Sequence, residues 1–194
     1  MRRKAFDALV STAGLVVAAV LLVASGLLFW ANSFVDDNVK SQLTQQRIFM
    51  PAEGSEQLND PRVKPYLEKY AGEQLTTGAQ AQAYADHYIK VHLDDSTGGK
   101  TYSELSTLSR ANPTDEKLAG QVQTAFRGET LRGLLLSAYA FWKMGQVALI
   151  AAWVALGTGI VLAALSVFGL VHARRTDYDV KVHVPGWHPE KAST

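Results

Sequence analysis

The sequence predicts an all-α integral membrane protein in which two transmembrane helices bracket an extracytoplasmic helical bundle. Three observations carry this expectation. Two uncharged apolar blocks, each long enough to cross a bilayer, lie towards the two ends of the 194-residue chain. Basic residues flank each block on its terminal side, and aromatic residues flank it on the side facing the middle of the chain. The stretch between the blocks carries most of the charge, together with repeated helix-start and helix-stop signals.

The first block runs from Ala8 to Ala31, about 24 residues, and reaches roughly 36 Å at the α-helical rise. A secretory leader would also begin with basic residues such as Arg2, Arg3 and Lys4. The apolar run is longer than a leader's, however, and no small-x-small cleavage pattern follows it, so an uncleaved span is expected. The second block, Val147 to Val171, is about 25 residues long and equally free of charge. Arg2, Arg3 and Lys4 before the first span, and His172, Arg174 and Arg175 after the second, place both termini in the cytoplasm by the positive-inside rule. Trp30, with Phe29 and Phe34, and Trp142, with Phe141, are expected at the outer membrane interface. The expected organisation is a basic cytoplasmic segment at 1–7, a first span at 8–31 and an extracytoplasmic domain at 32–143. A second span at 144–172 and a cytoplasmic tail at 173–194 complete it. The location this implies is the inner (plasma) membrane, crossed twice.

In the outer segment, residues 36–48 are expected to continue the first helix until Pro51 and the Glu53–Gly54–Ser55 run stop it. Val63 to Ala71 reads as a short helix opened near Pro61 and closed by Gly72. Thr77 with Gln80, and Thr101 with Glu104, have capping-box spacing; the first opens a helix to about Leu93 and the second a helix closed by Pro113. Gly98–Gly99 marks the turn between them. Thr114–Asp115–Glu116 suits another helix start, with Gly128 as its expected break. About five helices result. The apolar stretch LRGLLLSAYAFW, 131–142, is expected to be central to the bundle. In the tail, Val180, Val182 and Val184 alternate as in a strand, which would need an edge to pair with, or a disordered tail instead.

The stretch YADHYIKVHLDD, 84–95, holds two histidines and three aspartates. On a regular helix His87 and His92 diverge by about 140°, so they do not form a metal pair on one face. The same geometry predicts an Asp86–Lys90 ion pair, a Tyr84–Tyr88–His92 aromatic stripe and an Ile89–Leu93 apolar pair. An amphipathic structural helix is therefore expected, with no catalytic residue, no metal site and no cofactor. Gly98–Gly99–Lys100 lacks the spacing of a phosphate-binding loop. With no cysteine, thiolate chemistry and disulfides are excluded, and a net charge of +1 argues against a nucleic-acid partner. His183 and His188 in the tail are too isolated for more than weak metal binding.

Small residues recur every four positions on the second span at Ala151, Ala155, Gly159 and Ala163, with Gly14 and Ala18 as a shorter version on the first. Such a stripe permits close helix approach in lipid, either between the two spans or between chains. The expected partners are the lipid bilayer and either further copies of the chain or other membrane subunits.

The basic N-terminus, QLTTGAQAQAYADHYIKVHL, GGKTYSELS and FRGETLRGLLLSAYAFW together resemble a group of actinobacterial two-span membrane proteins, over nearly the whole chain. The resemblance implies the two-span architecture and carries no functional motif. Some members bear a ring-opening dioxygenase label, for which no suitable metal-ligand set is visible here. The function expected is that of a non-enzymatic accessory or scaffold subunit that self-associates or joins a larger envelope complex. The alternative is an extracytoplasmic sensor or ligand-binding module signalling through a separate partner, since the inner tail is too short for an output domain.

Overall fold

The computed structural model describes residues 3–175. Arg2 and the tail, including the valine alternation, His183 and His188, lie outside the described residues, as does the side chain of Arg3. The described residues are all-helical: α1 (Arg3–Gln46), α2 (Glu56–Asn59), α3 (Lys64–Leu67), α4 (Gly78–Tyr84), α5 (Lys90–Thr97), α6 (Tyr102–Ala111) and α7 (Glu116–Arg175). A 3-10 turn, Glu68–Tyr70, extends α3, and a π turn, Ala85–Ile89, joins α4 to α5.

Local chemistry accounts for most of the boundaries. α1 ends where Arg47 takes a left-handed φ of 52°. Thr77 and Thr101 both form reciprocal capping boxes, with Gln80 and Glu104 respectively. Gly98, at φ 65°, is the left-handed cap of α5. Asp115 accepts from the Leu118 N–H at 2.9 Å and so opens α7. α7 then runs 60 residues without a break. Gly128 lies inside it, which corrects the expected stop at that position: a single helical glycine costs only about 1 kcal/mol and is overridden by packing.

α1 and α7 are both long and apolar enough to cross a membrane, and only 11% of the most apolar window of each is buried. The chain forms two compact units. One comprises Met1–Phe29 and Leu149–Thr194, the other Trp30–Ala148.

In the first unit α1 and α7 run antiparallel, as rising numbers on α1 meet falling numbers on α7. Ser25 Oγ donates to the Ala152 carbonyl at 2.9 Å, and the Phe29 and Trp153 rings meet edge to face at 5.1 Å. Leu22 and Leu162 also reach into the seam, whereas other large side chains point away from it: Val23 is 66% exposed, Ile150 65% and Phe168 72%.

The second unit has a core drawn from α1, α2, α3, α4, the π turn and α7, with the segments between them. α1 supplies Val39 and Leu43, and Met50 follows them. Leu58 from α2, Val63 and Leu67 at α3, and Leu75, Ala81, Ala85 and Leu135 complete it. Two extended segments brace it through a short antiparallel bridge, with Met50 N–H donating to Glu73 O at 2.8 Å and Leu75 N–H to Ile48 O at 2.9 Å. The apolar 131–142 stretch divides. Leu135 is buried, and Leu136, Ala138 and Trp142 pack on the core, while Leu134 and Phe141 are exposed.

Candidate functional site

Two arrangements stand out, one in each unit. The first is the helix seam. Its buried members recur every seven residues: Ser11, Ala18 and Ser25 on α1, and Ala152, Ser166 and Ala173 on α7, with Gly159 at the same spacing. A seven-residue repeat keeps one face of each helix in register along a left-handed pairing. A Cβ added at Gly159 would stand 3.1 Å from Leu22 and 3.4 Å from the Ala18 carbonyl. Each helix also sets a serine against the other's glycine: Ser166 lies against Gly14, and Ser11 against Gly169.

The four-residue stripe therefore divides. Gly159 is buried in the seam, Ala155 and Ala163 flank it half-buried, and Ala151 is exposed on another side of α7. Gly14 and Ala18 belong to the seam on α1. The seven-residue recurrence, and the serines within otherwise apolar runs, are the sequence signals that an i,i+4 search passes over. Gly26 and Gly157, by contrast, face open space, with no atom within 4 Å of an added Cβ.

Of the expected interface anchors, Trp30 is 66% exposed and stacks on Phe34 at 5.7 Å. Trp142 instead packs inward, its side chain lying against Gly78. Lys4, Arg174 and Arg175 sit at the far ends of α1 and α7.

The second arrangement surrounds the histidine-rich stretch. The π turn inserts an extra residue per turn and re-aims the side chains that follow. The expected Asp86–Lys90 pair is not formed. Asp86 instead accepts from Arg132 at 2.7 Å, tying the π turn to α7, and Lys90 pairs with Asp94 at 2.6 Å. The aromatic stripe is present: Tyr84 stacks on Tyr88 at 4.7 Å, and Tyr88 meets His92 at 4.3 Å. His87 turns elsewhere and stacks on Tyr66 at 3.4 Å. Burial, with Tyr88 adding to it, pushes the Tyr84 phenol up to about 12.

His92 Nδ1 lies 2.9 Å from the Tyr88 carbonyl. A carbonyl only accepts, so Nδ1 carries the hydrogen and Nε2 is the ring's remaining polar position. On one side His92 borders Asp60 and Asp95, which share Arg62 at 2.7 and 2.8 Å. On the other it borders a cleft of about 470 Å³ between α5 and α7, with Arg127 and Thr124 on the α7 wall. Gly128 lines the same wall, and an added Cβ there would come within 2.8 Å of Leu93. Sequence reasoning missed Arg127, because nothing local connects it to a helix about 35 residues earlier. Among the described residues no group of three histidine, aspartate or glutamate side chains could hold a metal ion.

No protein-family model, curated protein or solved structure matches this chain.

Proposed function

We propose that the chain is an integral membrane protein with α1 and α7 as its two spans and the helical domain between them outside the cytoplasm. It acts there as a non-enzymatic accessory or scaffold subunit, in copies of itself or with other membrane subunits. The observation that carries the membrane reading is the disposition of the apolar side chains. A soluble protein's apolar helix is mostly buried, whereas here 11% of each window is. Val23, Ile150 and Phe168 point outward from a seam whose fully buried members are serine, alanine and glycine. That inside-out arrangement suits lipid, where helices pair by close packing and polar contact rather than by hiding large apolar groups.

The scaffold reading is supported by what remains on the outer faces of the paired helices. Gly26 and Gly157 are open glycines in helix interiors, where a flexible residue weakens the helix without a contact in the chain to justify it. A second protein's helix would supply that contact. The orientation follows from the basic ends, Lys4 on α1 and Arg174 and Arg175 on α7. A second reading, that of a ligand-binding or sensory module, is favoured by one feature, the cleft beside Arg127.

Two measurements test the main reading. Membranes carrying the chain are washed with alkaline carbonate; retention in the pellet is expected, and release to the supernatant overturns the assignment of spans. The native mass of the particle is then taken from lipid nanodiscs. A mass above one 21.1 kDa chain, or a constant companion, is expected. A lone chain would leave the scaffold reading without support and remove it.

A further inference from the structure

The cleft between α5 and α7 has a one-sided chemistry. Ile89, Leu93 and Leu131 give it an aliphatic lining, and Tyr84, Tyr88 and His92 form one wall. No carboxylate lines it, although the surrounding segment, 32–143, holds more acidic than basic residues. Arg127 is its one side chain with a permanent charge, and among the described residues it forms no ion pair. The neighbouring Arg132, facing α4 to α5 in the same way, is matched by Asp86.

The hydroxyl groups sharpen this. Ser96 Oγ donates to the His92 carbonyl at 2.7 Å, and Thr124 Oγ1 to the Gly120 carbonyl at 3.0 Å. Their hydrogens are used within their own helices, so the donors left to a ligand are the Tyr84 and Tyr88 phenols and the Arg127 guanidinium, and only the last carries a fixed positive charge. A planar guanidinium is matched best by a carboxylate, which it can engage through two parallel hydrogen bonds. Tyr84 and Tyr88 stack on each other, so their facing surfaces are already occupied, and the aliphatic part of the lining comes from Ile89, Leu93 and Leu131. A volume of about 470 Å³ is that of a small-molecule site.

We propose that this cleft binds a medium-chain aliphatic carboxylic acid, its carboxylate on Arg127 and its chain along Leu93, Ile89 and Leu131. This goes beyond the scaffold reading and needs neither a particular membrane orientation nor a partner.

The test uses the full chain in nanodiscs, titrated calorimetrically with sodium octanoate, octanamide and octylammonium chloride, and corrected against empty nanodiscs. Saturable octanoate binding is expected, with octanamide about tenfold weaker or more and octylammonium giving no saturable heat. Arg127→Gln should weaken octanoate about tenfold or more and leave octanamide unchanged. Thr124→Phe, which keeps the arginine and fills the cleft, should remove both. Thr124 and Arg127 are exposed, so neither change threatens the core. Three results would overturn the proposal: octanoate heat no different from empty nanodiscs, octanamide as tight as octanoate, or wild-type octanoate binding by both variants.

Discussion

Asp60, Arg62 and Asp95 show how much a single arginine sets on the surface of the helical domain. Arg62 hydrogen-bonds both carboxylates, and its side-chain contact holds Asp60 down from 3.8 to about 2 and lowers Asp95. The same bonds, Asp95 first, hold the guanidinium charged above its ordinary range. A carboxylate with a depressed folded-state pKa stabilises the protein above its unfolded pKa, and that contribution is lost as pH falls through the folded one. The melting temperature of wild type should therefore exceed that of Arg62→Gln by a constant margin from pH 7 to about 4, then converge with it towards pH 2. The groups are solvent-exposed, so the margin is small; a margin that grows on acidification would contradict the pairing. Asp86 and Arg132 form the contrasting case. Their side chains are about 30% exposed, and the Arg132 Nε is buried without a partner. Asp86→Ala would leave a half-buried guanidinium without its carboxylate and should cost about 2 kcal/mol in denaturant unfolding. Lys90→Ala breaks an exposed i,i+4 pair and should cost about 0.5 kcal/mol or less.

At the scale of elements, the signals that reside in a few adjacent residues are the ones legible in the sequence. Thr77–Gln80 and Thr101–Glu104 form the capping boxes that their spacing predicts, and Gly98 is the left-handed cap after α5. What was not legible depends on partners far along the chain. Asp86 meets a residue 46 positions away, not its i+4 neighbour, and the π turn that directs it has no local signature. Gly128 reads as a helix stop and is instead a point where α5 approaches α7. Two glycines make this distinction measurable. At Gly78 an added Cβ would strike the Trp142 side chain at its root, Cβ and Cγ, which cannot move without moving α7. At Gly128 it meets the methyl end of Leu93, which can rotate away. Gly78→Ala should therefore cost about 1–3 kcal/mol, whereas at Gly128→Ala a gain of about 1 kcal/mol in helix propensity offsets the crowding. Equal effects of the two in thermal unfolding would show that the approach of Gly78 to Trp142 is not close. The seam is tested in the same way. Gly159→Leu must displace Leu22 or the Ala18 backbone and should lower the melting temperature in nanodiscs at unchanged particle mass. Val161→Leu, at a position 59% exposed, should not. Loss of mass with Gly159→Leu would instead put the contact between chains.

At the scale of the whole molecule, α1 and α7 each run through both units. Under the proposed two-span reading, the charge pattern sets on which side of the membrane the helical domain folds. Lys4 precedes the first apolar block, Arg174 and Arg175 follow the second, and both blocks are free of charge. Segments rich in arginine and lysine stay on the cytoplasmic side, because short basic flanks are retained while the neutral spans insert. The helical domain, with 14 acidic and 12 basic residues over 32–143, has no comparable basic excess, and the proposed reading therefore puts it outside. The chain lacks cysteine, so single introduced thiols report its orientation without background. Ala52 is a suitable position in the domain, being exposed and clear of the Ser55 cap of α2; Ser193 serves for the C-terminal side. On intact cells an impermeant maleimide should label Ala52→Cys and spare Ser193→Cys, and permeabilisation should make both reactive. Labelling of Ser193→Cys alone would reverse the orientation and move the cleft beside Arg127 to the cytoplasm. Labelling of neither before permeabilisation would place both sites inside and break the two-span arrangement.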